Sequence, residues 1–421
     1  MRLYIDPGTG SMLFTILIGV LGAAIYALRE LYMKFRFRIS GGKAEITAEN
    51  RIPIAIYSDS KRYWNVFEPI CDAFEERGQK LLYMTSSSDD PALEKPYQYV
   101  ECRYIGEGNK AFAKLNTFRA DILLSSTPGL DVLYWKRSRE VKWYVHIPHA
   151  ASDITIYRMF GIDYYDAVLI SGDYQEQQLR KLEQLRKLPA KEIVKTGIVY
   201  MDAMKARLDR CDPLPDHQTT VLLAPSWGAS GVFSVYGSSI IRALLETGYH
   251  VIVRPHPQSY TADKELLDSI MAEYPESGQL EWNRDNDNFE VLRRSDILIS
   301  DFSGVIFDFT LVFDKPVIYA DTSFNKDPYD ACWLDEELWT FRILPKIGHQ
   351  LSRDDLNNMR EIIDNCLSDP SFKQGRDQAR QETWAYIGEG TERVVNYLLE
   401  KHAELVRKTD NMPSPNDRVS K

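Results

Sequence analysis

Short apolar runs rich in β-branched residues alternate with amphipathic stretches through the first half of the chain. Such runs have the length of buried strands in a parallel sheet, and the amphipathic stretches between them have the periodicity of covering helices. The predicted strands lie at residues 52–57, 80–84, 98–104, 121–124, 142–147, 167–170 and 193–195, and the predicted helices at residues 64–76, 110–118 and 174–188. This alternation predicts an α/β, doubly wound, Rossmann-like domain over residues 51–210.

The same pattern resumes after a short interruption. Pro213 and Pro215 break it, so residues 211–218 are interpreted as a linker. Predicted strands then lie at residues 220–223, 250–253, 296–300 and 317–320, and predicted helices at residues 354–367 and 372–401. We expect a second doubly wound domain over residues 219–408 and a disordered polar tail over residues 409–421. The cleft between two such domains is the expected ligand site.

The first 50 residues follow a different pattern. Residues 12–28 carry no charge, and extension to residue 33 gives the length of a membrane-spanning helix. Residues 34–50 are basic, which by the positive-inside rule keeps the remaining chain in the cytoplasm. We predict a short segment at residues 1–11, a single-pass anchor helix at residues 12–33 and a juxtamembrane linker at residues 34–50. The alternatives are a helix lying on the membrane surface, a cleaved signal peptide and a buried core helix.

Composition narrows the function classes. The chain has 421 residues, of which 44% are hydrophobic and 27% charged, as in ordinary globular proteins. A net charge of −10 argues against a nucleic-acid partner, because such proteins normally present a basic face. The five cysteines are odd in number and never form a CxxC pair, so we expect neither a disulfide framework nor a zinc site.

Two polar turns in the second domain carry the clearest chemistry. Arg254-Pro255-His256-Pro257 follows a predicted strand, and its prolines hold the His256 ring rigidly beside an arginine. Ser300-Asp301-Phe302-Ser303-Gly304 follows another strand and precedes a predicted helix, whose free amides would attract an anion. Both turns predict a phosphate site, with a plain structural turn and an ordinary helix cap as the alternatives. Ser226 lies in a third turn after a strand, where small residues allow close approach of a ligand.

The first domain offers two histidines at the end of one predicted strand. His146 lies within the strand and is interpreted as a core residue or a support, whereas His149 is followed by small residues and is expected to be exposed. A base at this position would face the phosphate site across the cleft. The pair lacks a carboxylate partner for a metal ion, so we expect neither a metal nor a cofactor. Asp308 is either a supporting acid or a surface charge.

These residues resemble the CDP-glycerol glycerophosphotransferase family, the membrane-associated polymerases and primases of teichoic-acid-like polymers. The resemblance runs from about residue 143 to residue 320 and includes one full match, the Arg-Pro-His-Pro turn at 254–257. The other matches are Ser300-Asp301-x-Ser303, Phe307-Asp308, Lys315-Pro316, an Ala-Pro-Ser-Trp turn at 224–227, Gly197 and Asp202.

The chain also departs from the family pattern. The motif His-Gly-Thr-Pro-x-Lys keeps only its histidine, as His149-Ala150-Ala151-Ser152-Asp153. An arginine after the tryptophan is replaced by Gly228, and a serine after Ser303 by Gly304. The resemblance implies a GT-B fold whose second domain holds the nucleotide. It also implies that His256 and Ser303 bind the diphosphate and that His149 is the base.

The leading hypothesis is therefore a membrane-anchored transferase. It would move glycerol phosphate, or a related alditol phosphate, from a CDP-activated donor to a hydroxyl of a lipid-linked or polysaccharide acceptor. Catalysis would involve His149 and His256, with Arg254, Ser300, Asp301, Ser303, Gly304 and Ser226 around the donor phosphates. One alternative is a GT-B glycosyltransferase that uses a nucleotide sugar, and another is an inactive membrane scaffold.

Overall fold

The computed structural model describes residues 51–410 apart from Asn286, Phe302 and residues 321–323. The predicted amino-terminal segment, anchor helix and juxtamembrane linker lie outside the described residues, as does the tail beyond residue 410. Within the part that the structure describes, no helix has both the length and the hydropathy needed to cross a bilayer.

Seven parallel strands form the first sheet in the order β3-β2-β1-β4-β5-β6-β7. Their bounds are β1 Ile52–Ser58, β2 Leu81–Thr85, β3 Val100–Tyr104, β4 Ala120–Ser125, β5 Val141–His146, β6 Ala167–Ile170 and β7 Glu192–Lys195. Strands β1, β2, β4 and β6 are almost wholly buried because helices cover both faces, which explains why they read as continuous apolar runs. All seven strands were predicted from these runs.

Six parallel strands form the second sheet in the order β10-β9-β8-β11-β12-β13. Their bounds are β8 Thr220–Leu223, β9 His250–Val253, β10 Leu280–Trp282, β11 Ile297–Ser300, β12 Val317–Ala320 and β13 Gly348–Leu351. The prediction of two doubly wound domains is thus confirmed, although β10 and β13 were missed. These two are edge strands with one open side, so they are short or polar and lack the apolar signal of the four central strands.

Fourteen α-helices lie among the described residues. They are α1 Trp64–Glu76, α2 Asn109–Leu115, α3 Asp173–Arg186, α4 Val199–Leu208, α5 Val232–Tyr236, α6 Ser239–Glu246, α7 Ser259–Ala262, α8 Lys264–Glu273, α9 Phe289–Arg294, α10 Val305–Phe307, α11 Trp339–Ile347, α12 Met359–Ser368, α13 Pro370–Thr383 and α14 Gly390–Asp410.

Two predicted helices differ from the structure. The helix expected over residues 372–401 is divided into α13 and α14, because Tyr386 and Gly388 adopt left-handed φ angles of 53° and 84° between them. The helix expected after Ser303 is only the three-residue α10, which continues as a π-helix over Asp308–Val312. Its first turn therefore provides less of a helix dipole than the sequence suggested.

The last helix returns to the first domain instead of closing the second. Tyr397 on α14 accepts a hydrogen bond from Trp143 Nε1 at 3.2 Å, and Lys401 pairs with Glu192 at 2.6 Å. The predicted single domain over residues 219–408 is wrong in this respect, because helix periodicity does not show which sheet a helix covers. The last helix therefore covers the first sheet, although it follows the second sheet along the chain.

Asp153 makes a further link between the sheets. It follows β5 in the first domain, is almost fully buried and accepts hydrogen bonds from the Trp339 and Thr340 amides at 2.8 and 2.7 Å. Those amides begin α11 of the second domain, where free amides need an acceptor. This carboxylate therefore fixes how the carboxyl end of the first sheet faces the second domain.

Candidate active site

The predicted site of the second domain lies where the strand order of its sheet reverses. The chain runs outward through β9 and β10 on one side of β8, and through β11, β12 and β13 on the other. Ligands of doubly wound sheets bind beyond the carboxyl ends of the strands at such a switch point. Ser226 follows β8, Asp301 follows β11, and His256 follows β9, so the topology brings three of the predicted turns together.

Asp301 joins two of these turns. Its buried carboxylate accepts hydrogen bonds from the Ser226 amide at 2.7 Å and the Ser226 hydroxyl at 2.5 Å. Amides of Val232 and Ser303 also donate to it, while burial raises the pKa of the carboxyl. Since these bonds occupy the carboxylate, Asp301 shapes the ligand site and is not itself an open ligand group.

The remaining residues of this turn either support the site or lie at its surface. Ser300 is fully buried and donates its hydroxyl to the Ala224 carbonyl at 2.6 Å, so it fastens β11 to β8. Ser303 and Gly304 are half-buried at the mouth of the cleft. A Cβ on Gly304 would lie 3.5 Å from the Ala150 Cβ, which places this turn directly against the His149 turn of the first domain.

His256 and Arg254 are held by the turn in which they lie. The Gln258 amide donates to His256 Nδ1 at 3.1 Å, which leaves Nε2 as the nitrogen for a ligand. Burial, together with the positive charge of Arg62, lowers the pKa of His256. Arg254 donates to the Asn283 side chain and to the Asp285 carbonyl, the latter at 2.7 Å, so its guanidinium points toward the end of β10.

His149 lies after β5 and is half-buried, which differs from the exposed position that its sequence neighbours predict. The Tyr63 ring lies 4.6 Å from its ring, centroid to centroid, and the Tyr157 hydroxyl lies 3.4 Å from Nδ1. Burial lowers the pKa of His149 to about 4, against the effect of a hydrogen bond to the Ser126 carbonyl. A neutral imidazole that donates from one nitrogen keeps an acceptor lone pair on the other. His149 is therefore uncharged at neutral pH and has a nitrogen lone pair that can accept a hydrogen bond.

His146 ends β5 and is completely buried. Tyr157 and Tyr165 contact it edge-on, with centroid distances of 5.3 and 5.0 Å, and none of the described residues hydrogen-bonds to either ring nitrogen. Burial and the nearby His149 lower the pKa of His146 to about 3. His146 therefore lies neutral beneath His149.

A chain of hydrogen bonds connects the two halves of the cleft. The Ala151 amide donates to the Tyr200 hydroxyl, and this hydroxyl donates to Asp308 at 2.9 Å. The Asn288 side chain also donates to Asp308, whose pKa burial raises to about 6. The predicted supporting acid thus lies between the domains, below the turn that carries His149.

Aromatic and acidic residues at the first domain's own switch point were missed by the sequence analysis. The strand order reverses between β1 and β4, and Asp59 follows β1. Part of Asp59 is exposed, yet the protein around its carboxyl raises its pKa. Its charge reaches Tyr63 and Tyr157, the residues that contact His149. These residues are far apart in sequence and come together only through the order of the strands, so no local motif predicts them.

Three residues that match the family pattern have structural contacts. Asp202 accepts from Trp384 Nε1 and from the Gly388 and Gly390 amides, each at 2.8 Å, which fixes the loop between α13 and α14. A Cβ on Gly197 would lie 2.3 Å from the Ala385 carbonyl oxygen in the same loop. Lys315 donates to the Arg293 carbonyl at 2.6 Å, before β12 and away from the cleft.

Among the described residues, no group of three His, Cys, Asp or Glu side chains is arranged to hold a metal ion. The five cysteines are all free thiols.

Comparisons with solved structures support the two-domain fold. The wall teichoic acid polymerase TagF, solved with CDPG, aligns with a TM-score of 0.55 and 14% identity over 91% of this chain and 99% of that chain. A putative UDP-N-acetylglucosamine 2-epimerase from Listeria monocytogenes aligns with a TM-score of 0.54 and 14% identity over 84% of this chain and 97% of that chain. A UDP-GlcNAc 2-epimerase from Methanocaldococcus jannaschii aligns with a TM-score of 0.54 and 13% identity over 82% of this chain and 99% of that chain. At such low identities the likeness establishes the fold alone.

The sequence itself is more specific. No curated protein matches the chain. The family model described as CDP-Glycerol:Poly(glycerophosphate) glycerophosphotransferase matches residues 162–400, which is more than half of the chain and includes the 254–257 and 300–304 turns. The chain is therefore a transferase that belongs to the CDP-glycerol:poly(glycerophosphate) glycerophosphotransferase family.

Proposed function

We propose that this transferase moves a glycerol phosphate unit from CDP-glycerol to a hydroxyl of a lipid-linked or polysaccharide acceptor. The observation that carries the proposal is the direct contact between two turns of opposite chemistry. The Ser303-Gly304 turn, beside Ser226 and His256, lies against the Ala150 turn, which carries His149. A diphosphate on one turn and a hydroxyl near the other would meet at the domain interface.

The donor half supplies hydrogen-bond donors from two turns. His256 Nε2 and the Ser303 hydroxyl would bind the two phosphates of CDP-glycerol. Asp301 holds Ser226 and Ser303 in place through its buried carboxylate. Such groups stabilise charge on phosphoryl oxygens by being fixed before the ligand arrives.

The acceptor half supplies the base. His149 would take the proton of the acceptor hydroxyl while its oxygen attacks the β-phosphorus of CDP-glycerol. The new phosphorus–oxygen bond joins the glycerol phosphate to the acceptor, and the bond to the α-phosphate breaks, so that CMP leaves. The pKa of about 4 means that His149 is unprotonated at neutral pH, and the charged donor would raise its basicity once bound.

The proposal includes attachment of the enzyme to a membrane. The uncharged run at residues 12–28 and the basic residues after it support a cytoplasmic enzyme tethered beside a lipid-linked acceptor. Flotation of the full chain with anionic phospholipid vesicles, compared with a form that lacks residues 1–50, tests this part alone. Equal recovery of both forms in the vesicle fraction contradicts the anchor.

Release of CMP from CDP-glycerol in the presence of lipid acceptors is the direct test of the reaction. We expect CMP release by the unchanged protein and a loss of about 10²-fold or more in His256→Ala, because a fixed donor to phosphate is removed. His217→Ala is the matched control, since His217 is exposed and precedes β8 at the opposite end of the sheet.

Two results would contradict the proposal. Release of a nucleoside diphosphate from UDP-sugars, without CMP release from CDP-glycerol, would show a sugar transferase instead. Folded protein that releases no nucleotide from either donor class, with polymer production unaffected by His256→Ala, would show a scaffold.

A further inference from the structure

A cavity of about 390 Å³ lies beside the Arg254–Pro257 turn and is lined by residues of both domains. Lys61 and Arg62 come from the first domain, and Arg254, Tyr260 and Arg284 from the second. This volume lies in the usual range of small-ligand sites. None of the residues proposed above for the donor, apart from Arg254, lines it.

The fold brings these cations together from three strand ends. Lys61 and Arg62 lie in the 3₁₀ turn Lys61–Tyr63, which begins three residues after β1 ends, at the first domain's switch point. The Ser60 hydroxyl accepts from the Arg62 amide at 3.4 Å and starts this turn. Arg254 follows β9, and Arg284 follows the neighbouring strand β10. The cavity is therefore an interdomain feature that neither domain forms alone.

The charge of the cavity is not balanced from within. Four cationic side chains line it against the single carboxylate of Asp285, and of these Lys61 is ion-paired with Asp89. Arg62 is exposed, and none of the described residues hydrogen-bonds or pairs with its guanidinium. Arg284 lies over the Tyr260 ring at 5.3 Å, and no carboxylate of the described residues pairs with it. The two guanidinium groups are left to face one cavity across the domain interface.

The positive charge reaches the donor turn as well. Arg62 contributes to the lowered pKa of His256, so the two residues are electrostatically coupled across the cleft. The first domain also lacks the lysine that the family motif places five residues after His149, where this chain has Ile154. Arg62 provides a first-domain cation at the same cleft from a different strand end.

We propose that this cavity is a phosphate-ester subsite that bridges the two domains, with Arg62 and Arg284 as its main ligands. The proposal rests on the proposed function, because both substrates of that reaction carry phosphate. The ligand is either a phosphodiester of the growing acceptor or a phosphate of the donor nucleotide. Guanidinium groups suit this chemistry, because they bind phosphate oxygens with paired, charge-assisted hydrogen bonds.

The test measures binding of two probes to the full chain by calorimetry at one fixed ionic strength. The probes are CDP and a synthetic oligo(glycerophosphate), and the variants are Arg62→Gln, Arg284→Gln and the control Arg210→Gln. Arg210 is exposed and does not line the cavity. We expect each cavity variant to lose affinity for the oligomer by about tenfold and to keep its CDP affinity within about twofold, because one charge-assisted contact is removed.

A loss of affinity for both probes, at an unchanged thermal midpoint, supports a phosphate subsite that either ligand occupies. A loss confined to the oligomer assigns the subsite to the acceptor, and a loss confined to CDP assigns it to the donor. Unchanged affinity for both probes, in variants with the thermal midpoint of the unchanged protein, overturns the subsite. Since binding needs no turnover, that result is distinct from failure of the proposed reaction, which is judged by CMP release.

Discussion

The sites at the carboxyl ends of the two sheets differ in how far their polar groups are hydrogen-bonded to each other. In the second domain, polar turns are tied to each other, as when the Asp301 carboxylate receives both the amide and the hydroxyl of Ser226. In the first domain, His149 lies among tyrosines, and His146 beneath it has no hydrogen-bond partner among the described residues. One half is a fixed polar cradle and the other a weakly polar pocket for a neutral base. This difference suits a charged donor that must be positioned and an uncharged hydroxyl that must be deprotonated.

The largest effect is expected at the base. His149→Gln keeps a polar side chain of similar reach but cannot accept a proton, so transfer should fall by about 10³-fold, in the range of general-base contributions. CDP affinity should not change, because His149 lies in the other half of the cleft. CMP release and calorimetry with CDP measure the two effects separately.

His217→Gln is the matched control for this variant and should transfer at the normal rate. If His149→Gln lost CDP affinity and transfer in the same proportion, the division of the cleft into donor and acceptor halves would be wrong.

A smaller effect is expected when the polar cradle is loosened. Asp301→Asn places an amide group against the four donors that now meet a carboxylate, and a charged hydrogen bond contributes about 1.5–3 kcal/mol. We expect the free energy of unfolding to fall by about 2–3 kcal/mol and CDP affinity to fall about tenfold or more. Urea unfolding and calorimetry measure these changes.

Asp216→Asn, an exposed position in the linker, controls for the loss of a charge. Normal CDP affinity in Asp301→Asn would mean that the turn does not hold the donor.

Local motifs in the sequence show more of the second-domain turns than of the surroundings of His149, for a physical reason. Residues such as Arg254 and His256 lie within one short turn, so a local sequence motif is enough to predict that they are close together. The partners of His149 come from positions as distant as Tyr63 and Tyr157, and only the packed structure brings them together. The same holds for the edge strands, which carry little apolar signal, and for α14, whose pattern shows one buried face but not which sheet it covers.

The link between the halves should matter less than either half. Tyr200→Phe removes the hydroxyl that connects the Ala151 amide to Asp308. We expect a loss of about 1.5–3 kcal/mol in the free energy of unfolding, because the hydroxyl donates to a buried carboxylate. Transfer should slow only several-fold, through a raised KM for the acceptor, because the His149 turn loses a support. Urea unfolding and steady-state kinetics check both.

Tyr164→Phe, at an exposed tyrosine, is the control. A change in CDP affinity without a change in acceptor KM would mean that Tyr200 supports the donor half of the cleft and not the turn that carries His149.

The smallest effect on transfer is expected at His146, where the consequence concerns stability and pH. The pKa of His146 is about 3 in the folded protein, below its ordinary value of 6.5. Between these values the unfolded chain binds a proton that the folded protein does not, so stability is full above pH 6.5 and falls as the pH decreases toward 3. His146→Leu removes this dependence. The unchanged protein should therefore lose about 2 kcal/mol more than the variant between pH 7 and pH 5.

Urea unfolding of both proteins at pH 7 and pH 5 measures how much stability each one loses. The contribution of the acidic residues, which both proteins share, cancels when the two losses are subtracted. His149 titrates in the same direction but is present in both proteins. Parallel pH dependence would mean that His146 gains a partner, such as water, that stabilises its charged form. The first-domain site would then be more polar than its tyrosines indicate, and it would resemble the hydrogen-bonded site around Asp301 more closely. A steeper loss in the unchanged protein, with normal transfer by His146→Leu at pH 7, would establish His146 as part of the apolar floor that keeps His149 neutral.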